Sequence, residues 1–593
     1  MTPSPAEPIF FGRRERSCFG WLHRAAGASS IGVVVCNPFG YEAVCSHRSL
    51  RHLAETIARA GIPALRFDYD GTGDSAGDDR DPDRLAAWVE STRAAVRTLR
   101  TLAGVERVWL VGVRLGVLIA ALAASDGNPE GIAGLVAIAP VVSGKAYLRE
   151  LGLLQMALGL GDPPPGAATI EEGAQEALGF VITRDTKQAI SRTDLTKLEP
   201  FRGAAGRPFD VLVLDRDDLP TADKWVARLT EQGISSASRR MSGYVEMMLD
   251  PHKVVSPRSI IAAATEWLSA RREENAAPGS GSGEAPRTEA VFGDVIERPV
   301  FVDETRRTFG ILSAPTGKAS GRAVLLLNAG AIHRIGANRL YVRLARRWAA
   351  LGHHVLRMDL AGIGDSPERP GEPENVVYHR NALEDVGAAV TFLRRAYGMK
   401  DIRTAGLCAG AYHAFKTASV DPNVRGFVAI NPLAYGARPE GDVMFPVAKV
   451  SAEAKRYQKS AFELQKWKKL ARGQVNVRVL TEIITRHAVA RLKTRARDLS
   501  RRAGMPWKHD FIAELDRLTE RNVEQRFIFA NDDPGQSLLE EQGSAALRKL
   551  QKRGALTIEV IDGPDHTFTP LWSHEPLMNL LTAAISGSSA QRS

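Results

Sequence analysis

The sequence predicts an α/β fold used twice: two tandem domains, each a mostly parallel sheet flanked by helices. Three observations predict it. Apolar strand-like runs alternate with amphipathic helical stretches, the pattern of βαβ units on a parallel sheet. The pattern occurs on both sides of residues 272–291, REENAAPGSGSGEAPRTEAV, whose Gly, Ser, Pro, Ala and charge read as a flexible linker. Corresponding positions also keep a nearly constant spacing: Gly40 and Gly330, Asp68 and Asp359, Gly112 and Gly406 lie 290, 291 and 294 residues apart. A register that drifts so little marks an internal duplication. The expected units are residues 1–271 and 292–593.

The elements follow in order. Each half opens on an extended stretch, from Pro8 in PIFFGRRERSCFGWLHRAAG and from Pro299 in PVFVDETRRTFGILSAPTG. An apolar strand comes next, in IGVVVCNPFGYE (31–42) and RAVLLLNAGAIH (322–333). A helix follows, SLRHLAETIARAGI against RLYVRLARRWAALGH, with apolar residues at helical spacing. A second strand runs into a glycine-rich turn, ALRFDYDGTGDS (64–75) and VLRMDLAGIGDS (355–366). After a longer amphipathic helix, a third strand ends in a turn flanked by glycines, VWLVGVRLG to Gly116 and IRTAGLCAG to Gly410.

Composition bounds the class. The 593 residues are 44% apolar and 25% charged, near the globular average, which excludes a mainly disordered, collagen-like or disulfide-stapled chain. The start, MTPSPAEPIFFGRRERS, lacks the apolar run of a signal peptide, and no stretch of about 18 apolar residues predicts a membrane span. Cys18, Cys36, Cys45 and Cys408 form no C-x-x-C pair and show no metal-ligand spacing, so neither a metal nor another cofactor is expected. From these missing signals alone, a reducing cytoplasm is the expected compartment.

A strand, a G-x-S-x-G turn and a helix form a nucleophile elbow, which projects its central residue over the sheet edge at a helix N-terminus. In Gly406-Leu407-Cys408-Ala409-Gly410 that residue is cysteine. A lone cysteine is ordinarily a small core residue. Here the turn context makes Cys408 the expected nucleophile, since a helix N-terminus favours the attacking thiolate. The chain order nucleophile, acid, histidine then points downstream. After the strand RFIFA (526–530), Asp533 is the first choice of acid and Asp532 the second. After LTIEVIDG, His566 is the expected base. The oxyanion hole would use the N–H of Ala409 and that of Ala329 or Ala331. His333 is read as a polar loop residue near the pocket, and His413 as packing.

Together these residues resemble the α/β-hydrolase superfamily, nearest its serine-aminopeptidase-like branch, which includes hydrolases associated with exopolysaccharide and exosortase gene clusters. NPFGYE, LRFDYDGTGDS and DGPDHTF carry the resemblance, which covers most of both halves. It implies two tandem α/β-hydrolase domains, each with a helical cap inserted before the acid-bearing strand, at about 143–205 and 436–522. The departure is Cys408, where the branch usually has serine. Cysteine at this elbow also occurs in dienelactone hydrolases and polyhydroxyalkanoate synthases, so a thioester acyl-enzyme with hydrolysis or acyl transfer is implied.

The first half looks catalytically empty. Arg114 occupies its elbow and cannot be a nucleophile. Glu246 aligns with His566, and Asp217 or Asp218 keeps the acid position. Arg114 is expected to pair with Glu246 and Asp217 across the old site; an anionic ligand is its alternative partner. His252 is expected to start the last helix.

The formal charge of +10 is concentrated. Residues 449–502 carry sixteen basic side chains and four acidic ones, an excess of twelve in the expected second cap. A charge run is usually a solvated face. Over a pocket it also suits an acyl-carrier protein or an anionic glycan or lipid. No nucleic-acid module is recognised. The sequence therefore supports an acyl ester or thioester hydrolase or acyltransferase acting through Cys408. Its alternative is a non-catalytic binding or scaffold protein built from two pseudo-hydrolase domains.

Overall fold

The computed structural model describes residues 6–436 and 510–587, apart from 159–162, 168–169, 204–206 and 273–285, with a few single residues between 496 and 507. The first sheet has eight strands. From edge to edge they are Glu7–Phe11, Cys18–His23, Ala64–Phe67, Ile31–Cys36, Arg107–Val113, Ile132–Ile138, Asp210–Arg216 and Ser235–Met241. The second has nine: Ala290–Phe292, Val295–Phe301, Phe309–Pro315, His354–Met358, Arg322–Leu327, Asp401–Leu407, Val424–Ile430, Glu524–Ala530 and Leu556–Ile561. In each sheet the leading hairpin strands are antiparallel and the rest parallel. Strands such as IGVVVC and RAVLLL are apolar throughout because helices cover both faces of a parallel sheet.

Three expectations need correction. The span 272–291 is not linker to its end: Phe10 and Arg287 exchange both backbone hydrogen bonds, and Ala290–Phe292 is an edge strand. Gly293, at φ 58°, supplies the tight turn into Val295–Phe301. The first cap is not wholly helical. Helices Gly144–Ala157 and Arg184–Arg192 bracket a hairpin, Gln175–Ala177 with Phe180–Ile182. The end of the second cap is core, because Phe511–Glu520 is an amphipathic helix that buries Phe511, Ile512, Leu515 and Leu518. The basic run at 449–502 lies almost wholly outside the described residues. Among them, no helix is long and apolar enough to cross a membrane.

The halves meet through equivalent surfaces. Phe19 and Trp21 of one leading hairpin pack on Phe309 of the other, with the Trp21 and Phe309 rings 4.5 Å apart and edge-on. Arg66 and Arg357, 291 residues apart, stand in the middle of corresponding strands. Each crosses to the other half's glycine-rich turn, Arg66 to Asp365 and Arg357 to Asp74. This is the reciprocal contact of an isologous dimer, made within one chain. Arg339 donates to the carbonyls of Gly71, Gly73, Ser75 and Gly77 at 2.6–2.9 Å.

These charges are buried, so removing one partner leaves the others with less counter-charge and no water to replace it. Arg357→Met removes one of the two arginines that pair with each of Asp74 and Glu297, leaving Arg334 on the first and Arg346 on the second. It should destabilise the protein by about 1–3 kcal/mol, read as a lowered midpoint of chemical denaturation.

Candidate active site

The strand Asp401–Leu407 ends at Cys408, and the helix Ala409–Val420 begins directly after it. Cys408 has φ 59° and ψ −114°, a conformation costly for any residue with a Cβ. Its flanking glycines are required by close backbone approach. A Cβ on Gly406 would lie 2.4 Å from the Gly410 carbonyl carbon, and one on Gly410 would lie 2.4 Å from the Leu327 oxygen. The elbow is fastened to the neighbouring strand by Tyr341, whose hydroxyl accepts from Leu407 N–H at 2.9 Å and donates to the Leu327 carbonyl at 3.0 Å.

Asp533 caps the helix Pro534–Lys552. One carboxylate oxygen accepts from Gly535 N–H at 2.8 Å, and the other meets His566 Nδ1 at 2.7 Å. Asp532, beside it, is exposed. The loop bearing His566 is pinned by Asn431, whose Nδ2 donates to the His566 carbonyl at 2.7 Å. His566 Nε2 is buried with no partner of full hydrogen-bond geometry, and Cys408 is close enough to raise the pKa of the ring. Burial alone would lower the imidazole pKa. The Cys408 charge and the Asp533 hydrogen bond outweigh it and hold the pKa well above the usual histidine value. Burial pushes the thiols of Cys18, Cys36 and Cys45 up to about 12, which makes them poor nucleophiles.

Ala409 opens its helix, where N–H groups lack intrahelical partners. Ala329 is buried and Ala331 half-buried, on either side of Gly330 at φ 62°. His413 Nε2 donates to the Val377 carbonyl at 3.0 Å, and burial lowers its pKa to about 4, so it is a neutral packing residue. His333 is buried and stacks on His47 of the first half, with ring centroids 3.9 Å apart. It is an interface residue that lines the cavity at the junction, together with His47, Arg66, Arg334 and Asp365.

The first half keeps the elbow and changes its content. Arg114 has φ 52° and ψ −121°. The expected pair with Glu246 and Asp217 is not formed: both are exposed, and Arg114 instead binds Glu42 at 2.8 Å and Glu150 at 2.7 Å. Tyr147 donates to the other Glu42 oxygen at 2.8 Å, and the Tyr147 and Tyr244 rings flank the guanidinium. Two nearer carboxylates thus take the cation, while the residues aligned with the histidine and acid turn to solvent. Asp218 pairs with Arg216. His252 lies in the turn before the last helix of this half, which starts at Arg258. Glu42 was legible as a charge just after the loop that matches Ala329–Ala331, outside the triad order.

Two α/β-hydrolase domains in tandem are therefore the class that the sheets and elbows define. The chain belongs to the family Hydrolase_4, serine aminopeptidase, S33, whose model matches residues 43–168 and 319–524, more than half of it. Among solved structures it resembles Est1E from Butyrivibrio proteoclasticus, at 16% identity over 45% of this chain and 99% of that one, with a TM-score of 0.32. An alpha-beta serine hydrolase homologue from Coxiella burnetii shows 16% identity, 45% and 98% coverage and a TM-score of 0.28. The Pyrococcus furiosus esterase Pf2001 shows 15% identity, 45% and 92% coverage and a TM-score of 0.30. No curated protein matches.

Asp533 and Cys408 both raise the His566 pKa. The paired imidazolium therefore stabilises the fold fully below about pH 6.5, and this is lost as pH rises through the folded-state value. Asp533→Asn should lower the His566 pKa, measured by imidazole NMR titration.

Proposed function

We propose that the second half is an acyl ester or thioester hydrolase or acyltransferase working through an acyl-Cys408 intermediate, and that the first half is a catalytically degenerate copy. The observation that carries this reading is the 2.7 Å contact of His566 Nδ1 with Asp533, together with an elbow cysteine whose charge raises the imidazole pKa. In this reading the Cys408 thiolate attacks the carbonyl carbon. The N–H of Ala409 and that of Ala329 or Ala331 hold the developing oxyanion. As the intermediate collapses, imidazolium Nε2 gives its proton to the departing alkoxide or thiolate, leaving a thioester on Cys408. Neutral His566 then takes a proton from water or from an acceptor alcohol or amine, which attacks the thioester. Expulsion of the thiolate restores the ion pair. Asp533 orients the ring and keeps its charge.

The basic excess at 449–502 favours an anionic acyl donor or carrier at this half. Its chemistry is compatible with a carrier protein, a glycan or a lipid headgroup.

The test is a screen of acyl esters and thioesters, with and without acceptors, on three proteins. The wild type should turn over at least one class. Cys408→Ser should retain a small fraction of hydrolysis, and Cys408→Ala should fall by at least about 10³-fold, as expected for loss of a covalent nucleophile. Equal activity in wild type and Cys408→Ala would remove the reading, and inactivity of all three would favour a binding or scaffold protein.

A further inference from the structure

The loop that follows the strand Arg322–Leu327 supplies one side of the proposed oxyanion hole. Its inner face is set within the second half. Asn328 Nδ2 donates to the Ile332 carbonyl and to Asp359, both at 3.0 Å, and Ile332 N–H closes on the Ala329 carbonyl at 3.2 Å. Its outer face rests on the first half. Ile332 and Ile335 pack into the hydrophobic core of that half. His333 stacks on His47 at 3.9 Å, with the ring planes 10° apart, and His47 also contacts Asp365 at 3.1 Å. Arg334, fully buried, reaches Asp74 of the first half at 2.7 Å, together with Asp359 at 2.9 Å and Asp365 at 2.7 Å. Four consecutive residues of the loop are thus held from across the junction. Ala331 immediately precedes them, and Ala329 accepts the bond from the first of them.

We propose that the first half is a built-in brace for the oxyanion loop of the second, with Asp74 and His47 as positioning residues that act through Arg334 and His333. The proposal rests on Cys408 being an acyl carrier. A backbone N–H contributes to an oxyanion only when it is held at hydrogen-bond distance, and losing one such donor costs about 10²–10³ in rate. A brace that is one buried charge and one stacked ring can therefore govern the reaction without touching substrate. It also accounts for a degenerate half that keeps its hydrophobic core and its junction while its own elbow carries arginine.

The experiment uses two reactions of Cys408 in the full-length chain. Alkylation by iodoacetamide forms a sulfur–carbon bond as iodide leaves, and no oxyanion develops. Acylation by p-nitrophenyl acetate forms a thioester as p-nitrophenolate leaves, through an oxyanion. His47→Ala and Asp74→Asn should slow acylation at least tenfold while alkylation stays within twofold of wild type. Arg48→Ala, which removes one of three junction contacts with Glu374 on a different loop, should change neither rate. Amide hydrogen exchange of a peptide covering residues 329–336 should quicken in His47→Ala and not in Arg48→Ala. If Asp74→Asn loses its cooperative unfolding transition, His47→Ala decides alone.

Unchanged acylation and exchange in His47→Ala would overturn the brace, as would equal falls in both rates. A wild type that neither reagent modifies at Cys408 would instead overturn the proposed nucleophile, and the exchange measurement would still judge the brace.

Discussion

A residue other than glycine held near φ +60° at the end of a central strand is the constraint on which both halves depend. At Cys408 and at Arg114 the chain turns from strand to helix in the space of one residue. It can do so only because the flanking glycines let backbone pass where a Cβ would collide. The turn brings the side chain to the C-terminal edge of a parallel sheet and to the start of a helix, where a negative charge is favoured. The same backbone survives with cysteine in one half and arginine in the other. The fold therefore fixes the place, and the side chain with its neighbours fixes the chemistry: thiol, imidazole and carboxylate in one half, a guanidinium between two carboxylates in the other.

The junction shows how the duplicated halves became one molecule. Arginines set in otherwise apolar strands would be strongly destabilising if buried without a partner, and Arg357 has Glu297 of its own half as well. Each finds its counter-charge in the other half's glycine-rich turn. Burial raises Asp68, beside these turns, to about 6, while the arginines on Asp74 and Asp365 outweigh burial and hold both below the usual carboxylate range. A network of this kind adds little net stability against an apolar alternative, but it penalises every other way of docking the halves.

Much of this was legible in the sequence, and the omissions have physical reasons. The duplication, the elbows and the order Cys408, Asp533, His566 are local or nearly periodic signals, and the structure gathers those three residues at one edge of the second sheet. Arg114 was recognisable as a charge in a buried turn, but its partners were not. Glu42 and Glu150 reach it through tertiary folding, from a loop–helix junction and a cap helix that triad order does not index. Arg66 and Arg357 carried a signal of their own: one charge at the same place in two apolar strands asks for a symmetric partner. The strand Ala290–Phe292 hid in a linker-like composition because three residues pair only when a neighbouring hairpin and the Phe10 cluster receive them. Phe511–Glu520 belonged to the core because its apolar stripe, rather than its position before a strand, decides where a helix packs.

Peptide-resolved mass spectrometry of the folded protein, quenched in acid during exposure to an acyl thioester, tests the central claim most directly. The account predicts one acyl adduct, on the peptide containing Cys408, that builds up in His566→Ala far more slowly than in the wild type. An adduct confined to Cys18, Cys36 or Cys45, or equal labelling of Cys408 with and without His566, would contradict it.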